Sequence, residues 1–299
     1  MTTLRDVAEL VRLPAALSVP GDVLAGATAA GVPLGRRTAL LPLSSVLLYW
    51  AGMALNDYAD RDLDAVERPE RPIPSGRVAP RGALGLAVGL TTAGLAVAGA
   101  AGRRSLAVAV PLAGTVWAYD LAAKRGAAGP LVMGTARGLD VLLGAAGHRA
   151  AAPAALAVAA HTTAVTALSR GEVHGAEPRT AHGALATTIT TAVVVAAHGL
   201  RRAPAGRAGR AASPRAAGVA AGTAVALAAV YATAVGREQR RAATRPDGPT
   251  VRRATGAGIR GLVPLQAALT AGAGAPVAAA ALMAAGPLLR VGARVVSPT

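Results

Sequence analysis

Nine apolar stretches, each near the roughly 20 residues a helix needs to cross a bilayer core, recur along this 299-residue chain. They lie at 12–31, 38–57, 82–101, 105–123, 130–147, 153–170, 182–199, 216–235 and 276–294. A segment in hydrocarbon must satisfy every backbone donor and acceptor internally, so it is either a helix or a strand of a closed barrel. These stretches lack the period-two alternation of barrel strands. The fold class they predict is all-α integral membrane. A further stretch, 256–273, is apolar but holds Arg260, Pro264 and Gln266; it reads as a tenth span, a re-entrant piece or a helix on the membrane surface. The expectation is one polytopic domain over residues 1–299 with nine or ten spans.

Composition agrees. Hydrophobic residues make up 53% of the chain and charged ones only 15%, too apolar for an ordinary soluble domain. Thirty-one basic residues against fifteen acidic give +16, but nucleic-acid binding needs stacking aromatics or a recognisable motif. Phe is absent, and there are two Trp and four Tyr. The positive charge instead falls in pairs between apolar stretches, such as Arg36-Arg37, Arg103-Arg104 and Arg240-Arg241, as expected beside lipid headgroups. With no Cys, disulfides, Cys-ligated metals and thiol nucleophiles are excluded. Residues Met1 to Asp6 lack the features of a signal peptide, so the first apolar stretch reads as a retained span. With a cytoplasmic N-terminus, seventeen Lys/Arg face the cytoplasm and twelve face the other side, which favours that orientation. Loops 58–81 and 171–181 are then cytoplasmic.

Six of the fifteen acidic residues fall in one window: Asp57, Asp60, Asp62, Asp64, Glu67 and Glu70. Asn56, Asp60 and Asp64 are four apart, so a continuing helix lines them up in a stripe, with Asp57 at its edge. Carboxylates crowded at a membrane surface repel unless a cation neutralises them, and hard oxygen ligands suit Mg²⁺, or Mn²⁺. Mg²⁺ uses one or two carboxylates and leaves its other positions to water and phosphate oxygens, which points to a diphosphate substrate. Arg71 and Arg77, in the run Arg71-Pro72-Ile73-Pro74-Ser75-Gly76-Arg77, are suited to bidentate phosphate contacts.

The run Asn56-Asp57-Tyr58-Ala59-Asp60-Arg61-Asp62-Leu63-Asp64 and the arginine loop after it resemble the first aspartate motif, N-D-x-x-D-x-x-x-D, of the UbiA-type intramembrane prenyltransferases. Arg12 and the stretch Tyr119 to Lys124-Arg125 also match family positions. The resemblance implies a helical bundle around a central cavity and Mg²⁺-dependent transfer of an isoprenyl group from a diphosphate donor to a small or lipid-soluble acceptor. It places Asn56, Asp57, Asp60 and Asp64 on the metal, and Arg12, Lys124 and Arg125 on the diphosphate. It also implies a bacterial cell membrane, with no nucleic acid and no obligate protein partner.

The family supplies further aspartates after span six. Here that stretch ends Ser169-Arg170-Gly171-Glu172-Val173-His174-Gly175, resembling a bacterial subgroup with a Ser-Arg-x-Glu-Val-x-Gly motif. Three readings stand: a second metal on Glu172, a single-metal site in which Arg170 replaces a cation, or lost activity. Glu172, with Asp60, Asp64 and Lys124, completes the expected catalytic set, and Arg170 joins the diphosphate contacts. Arg137 and Asp140, three apart inside span five, read as an ion pair or a substrate contact. Asp120, four before Lys124, reads as its orienting partner. The histidines lack metal-ligand spacing. No Walker loop or dinucleotide fingerprint is present, nor the Asp-Gly and Ala-Arg pairs of CDP-alcohol phosphotransferases. The alternative function is a non-catalytic or transporter-like membrane protein that binds a divalent cation or a diphosphate lipid.

Overall fold

The computed structural model describes residues 3–12, 19–33, 35–36, 38–202 and 213–285. Among them every regular element is helical: α1 Leu4–Leu10, α2 Pro20–Ala29, α3 Leu40–Glu67, α4 Pro80–Ala101, α5 Arg103–Ala118, α6 Gly129–Gly144, α7 Ala152–Ser169, α8 Pro178–Arg202, α9 Pro214–Thr244 and α10 Gly248–Gly272. A short α11 covers Pro276–Ala285. Residues 13–18 of the expected first span, 286–294 of the last, and Arg37, Arg207, Arg210, Arg290 and Arg294 lie outside the described residues.

Proline sets several of the starts. Pro80, Pro178 and Pro214 open α4, α8 and α9, where a missing N–H costs nothing because the first-turn donors have no partner in the helix. The stop of α3 at Arg68, one residue before Pro69, follows from the steric bar that proline places on the residue preceding it. α5 does not simply end: Tyr119–Ala123 continues it as a π-turn, with Lys124 N–H bonded to the Tyr119 carbonyl at 2.9 Å.

Among the described residues, five segments are long and apolar enough to cross a membrane: Pro80–Ala101, Arg103–Ala123, Arg149–Ser169, Pro178–Arg201 and Pro214–Thr244. Much of their apolar surface points outward, as at Val88, Val110, Leu156, Ile189, Val193 and Val219. In water such faces would be unfavourable, whereas in lipid they are the natural exterior. The stretch 256–273 is not a surface helix. It forms the second half of α10, whose residues Leu265 to Gly272 are all buried against α2, α7, α8 and α9.

Association in lipid gains little from burying oil against oil and relies on close packing. α2 and α6 meet through glycine on both sides. A Cβ on Gly26 would lie 1.8 Å from the Val141 carbonyl oxygen, and one on Gly144 would lie 2.1 Å from that of Val23. Both obstacles are backbone, so no rotamer change relieves them. This contact fixes α2, α6 and, through α10, the two sides of the bundle.

Gly144→Leu should therefore cost about 1–3 kcal/mol by overpacking, whereas Gly222→Leu, with nothing within 4 Å of its Cβ position, should be near neutral. Thermal unfolding of the two variants in one detergent checks the difference; equal melting temperatures would contradict it.

Candidate active site

α3 remains helical through Glu67, ten residues past the expected span end, so the irregular part of the 58–81 loop is confined to 68–79. Asn56, Asp57, Asp60 and Asp64 accordingly share one helix, and each finds a partner on another element. Asp57 and Asp64 are buried. Arg12 Nη2 lies 3.1 Å from Asp57 Oδ1, and Arg71 Nη1 lies 2.6 Å from Asp64 Oδ2 and 3.5 Å from Asp57 Oδ1. Asp60 receives Lys124 Nζ at 2.8 Å and Arg125 Nη2 at 3.3 Å. Asn56 Nδ2 donates to Asp120 Oδ1 at 3.0 Å.

The sequence reading missed Asp120 as a member of this cluster. It is not the orienting partner of Lys124, whose ammonium faces Asp60 instead; Asp120 is held by Asn56. The π-turn accounts for the change. An extra residue in the turn rotates Asp120 and Lys124 relative to ordinary i, i+4 placement. Four carboxylates (Asp57, Asp60, Asp64, Asp120) and four cations (Arg12, Arg71, Lys124, Arg125) thus balance at one end of the bundle.

Arg12 reaches this cluster from a left-handed backbone conformation, φ 47°, just past α1. The hold on α1 is Arg77, whose guanidinium bonds Asp6 and Glu9, each at 2.8 Å, and the Glu70 carbonyl at 2.8 Å. The structure therefore places Arg77 on α1 and away from the carboxylates of α3. The Thr3 hydroxyl and N–H, then Arg77, hold the Asp6 carboxyl down from 3.8 to about 2, and the two acids raise the Arg77 pKa.

Arg170 does not pair with Glu172. Its Nη2 donates to the carbonyls of Gly126 and Lys124, the latter at 3.1 Å, tying the end of α7 to the basic loop. The Glu172 carbonyl accepts from Arg252 at 3.1 Å, so the backbone here is set by α10. Of the histidines, His161 is fully used: Nε2 donates to the Gly258 carbonyl at 3.0 Å and Nδ1 accepts from the Tyr231 hydroxyl at 2.8 Å, the assignment that a carbonyl partner requires.

Beneath the ion cluster lies a cavity of about 220 Å³, reaching from Asn56, Tyr119 and Asp120 past Met53 and Tyr49 to Ser45 and Asp140. Its walls are mainly apolar, as Leu48, Leu112, Val116 and Met133 show.

The model of the UbiA prenyltransferase family matches residues 17–246. The chain belongs to this family. Among curated relatives it is similar to the digeranylgeranylglyceryl phosphate synthase of Methanothrix thermoacetophila, 45% identical over 96 residues, which is 32% of this chain and 34% of the relative. It also resembles the bacteriochlorophyll synthase 33 kDa chain of Rhodobacter capsulatus, 32% identical over 132 residues, 41% and 43% of the two chains. The matches to the synthases thus span about a third of their length. A solved UbiA homologue from Archaeoglobus fulgidus bound to GPP and Mg²⁺ shares the fold, with a TM-score of 0.60 at 16% identity over 86% of this chain and 99% of that one. A second solved structure, of a digeranylgeranylglyceryl phosphate synthase, gives 0.60 at 16% over 90% and 98%. Family membership, together with the apolar outward-facing helices, makes this UbiA-family chain a multi-pass membrane protein.

The donor set of α3 fits a hard divalent cation. Asn56, Asp57, Asp60 and Asp64 offer only oxygen ligands apart from the amide nitrogen, and every carboxylate already sits against a positive group. Among the described residues no three acidic or histidine side chains converge on one point; arginine and lysine occupy the spaces between them. A cation there would replace guanidinium and ammonium partners, freeing those groups for an anion.

The placement of Arg12 depends on the Asp6–Arg77 contact, and its pH dependence has a definite sign. Asp6 is depressed in the folded chain, so its contribution is present above 3.8 and is lost as the pH falls through about 2. Pepsin should leave the α1 segment of the wild type intact near pH 4 and release it near pH 2. Arg77→Ala should release it already near pH 4; equal protection of the variant would contradict the anchoring role.

Proposed function

We propose that this UbiA-family chain transfers an isoprenyl group from an isoprenyl diphosphate to an acceptor held in the cavity, releasing pyrophosphate. The observation that carries the proposal is the balanced ion cluster at the cavity mouth: oxygen ligands for a metal on α3, and cations at Arg12, Lys124 and Arg125 that can move from carboxylate to phosphate. The family match, the curated prenyl-synthase relatives and the neighbour bound to GPP and Mg²⁺ support it.

In this reading Asn56, Asp60 and Asp64, with Asp57 beside them, hold Mg²⁺, with Mn²⁺ as a substitute. When bound, the ion supplies neutralisation of the diphosphate oxygens. Arg12, Lys124 and Arg125 exchange their carboxylates for phosphate oxygens, and Arg71 moves between Asp64 and the substrate. As the C1–O bond breaks, its electron pair goes to the diphosphate. These fixed charges stabilise the leaving group without reorganising at the moment of reaction. The apolar walls around Leu112 and Val116 exclude water from the allylic cation, and an electron pair of the acceptor forms the new bond to C1. The displaced proton passes to solvent.

Arg170, locked onto the loop that carries Lys124, favours the single-metal reading of the reduced second motif, in which positive charge stands where relatives place aspartates. Glu172 then acts as a loop residue near the site. The mouth faces the cytoplasm of a bacterial cell, the chain is one domain of nine or ten spans, and its partners are the donor, the acceptor and the bilayer. The second reading, a binding-only or transporter-like protein, gains no support from an arrangement that gathers its candidate metal ligands at a helix end.

The test is pyrophosphate release from geranyl, farnesyl and geranylgeranyl diphosphates by purified protein, with and without chelator. Mg²⁺-dependent release should fall by about 10²-fold or more in Asp60→Asn and Asp64→Asn, in line with loss of one preorganised electrostatic contact, while both variants remain in the membrane. Release unaffected by chelator or by both substitutions would remove the assignment.

A further inference from the structure

At the end of the same cavity away from Asn56 and Asp120 lies a polar cluster that the proposed reaction leaves unused. Asp22 on α2 is fully buried; its Oδ1 accepts from Gln266 Nε2 at 2.7 Å, and its Oδ2 lies 2.7 Å from Arg137 Nη2. Of the two readings of Arg137 and Asp140, an ion pair or a substrate contact, the direct ion pair is not formed. Asp140 Oδ1 accepts from the Ser45 hydroxyl at 2.6 Å. Ser45 is eleven residues before Asn56 on α3, about 16 Å along the helix. α6 begins five residues after Lys124 and runs back along α3, so Arg137 sits one turn nearer the mouth than Asp140.

Four atoms of this cluster make no hydrogen bond: Asp22 Oδ2 and Arg137 Nη2, which face each other as an ion pair, and two that face no charged partner. Asp140, 4% exposed, has no partner for Oδ2, and Arg137 has none for Nε among the described residues. Both residues line the cavity. Charged groups within a membrane bundle are costly and are retained where they bind something, and buried polar groups in a purely structural network are normally satisfied throughout. An open acceptor and an open donor one turn apart are the complement of a hydroxyl, which donates one hydrogen bond and accepts another.

The charge balance selects further. Asp22 and Asp140 bring two carboxyl groups to the single guanidinium of Arg137, so the cluster has no cation to spare. A carboxylate-bearing acceptor would find no unpaired cation there, and a purely apolar quinone ring or tail would leave both atoms unpaired. We infer that Arg137 and Asp140 form an acceptor subsite for a neutral molecule carrying at least one hydroxyl besides the group that is prenylated. This rests on the prenyltransferase reading above. It makes Asp140 a specificity-determining residue that holds the acceptor, remote from the diphosphate.

The experiment compares acceptors with geranyl diphosphate and Mg²⁺: cyclohexane-1,2-diol and 4-hydroxybenzyl alcohol (neutral, two hydroxyls), cyclohexanol (one hydroxyl) and 4-hydroxybenzoate (anionic). Wild type should favour the two-hydroxyl neutral acceptors over the anion in kcat/KM by about ten-fold or more, the worth of one hydrogen bond to a charged group. Asp140→Asn should move that ratio toward the anion by a similar factor, about ten-fold, through the acceptor KM. Ser45→Ala, which unfastens Asp140 without removing it, should shift the ratio in the same direction by less and serves where Asp140→Asn does not fold. Binding of geranyl thiolodiphosphate with Mg²⁺ is the separate readout of the donor site. Preference for 4-hydroxybenzoate in the wild type would overturn the subsite. So would an unchanged ratio in both variants with donor binding intact, or pyrophosphate release without prenylation of any neutral acceptor. Failure of the wild type to bind the donor analogue would remove the prenyltransferase reading itself, and the subsite with it.

Discussion

Carboxylates on successive turns of one helix repel, and α3 carries Asp57, Asp60 and Asp64 on its inner side close to a low-dielectric interior, where the repulsion is least screened. The chain answers with cations from three separate places. Arg12 comes from beyond α1, Arg71 from the loop after α3, and Lys124 with Arg125 from the end of α5. None of these groups is a helical neighbour of the acid it faces. The mutual demand of acids and bases therefore determines where α1, the 68–79 loop and the α5–α6 connection must sit. Arg77 and the Arg170 clasp on Lys124 and Gly126 hold the same segments from behind.

A helix that keeps such charges needs an interior able to pack without aromatic bulk, since Phe is absent. Glycine and alanine supply that interior by letting backbones approach, as at Gly26 and Gly144. Close backbone contact on the α2–α6 side leaves the space between α3, α5 and α6 as the cavity, because Leu48, Tyr49, Met53 and Leu112 are too few to fill it. The tight and the open sides of α6 thus follow from one distribution of small residues.

Much of this was readable before any coordinates. The 20-residue apolar rhythm gave the helical membrane class, and the four-residue spacing of Asn56, Asp60 and Asp64 gave the inward stripe, because both depend on local periodicity. The likeness to the family motif assigns Arg12, Lys124 and Arg125 to the diphosphate, and in the structure they lie against Asp57 and Asp60. What spacing along one helix does not encode is partner choice between helices. Arg137 pairs with Asp22 from α2 in place of Asp140, and Asn56 captures Asp120. A signal for Asp120 did exist, in Tyr119-Asp120 followed by a basic pair, but the π-turn that rotates it into the cavity has no periodic signature. Arg77 read as a phosphate ligand because its loop is basic; its acids, Asp6 and Glu9, lie some seventy residues away.

The two ends of the cavity are built on opposite principles, and this difference gives the site its direction. At the mouth, acids and bases are equal in number and the cations Arg12 and Arg125 reach the surface, so these two can change partner when a doubly charged cation and a polyanion arrive together. At the Asp140 end, the groups are buried and few, and a change of partner would strand a charge. In the proposed reaction, ligand exchange with ions belongs to the mouth, and contact with the acceptor to the Asp140 end. An apolar chain entering between them meets Leu48, Leu112 and Val116 on its way and finds no charge to displace. In that reaction the reacting carbon would lie where leaving-group stabilisation is strongest and water is scarcest. On that proposal, the eleven residues from Ser45 to Asn56 along a single helix separate the acceptor contacts from the diphosphate contacts.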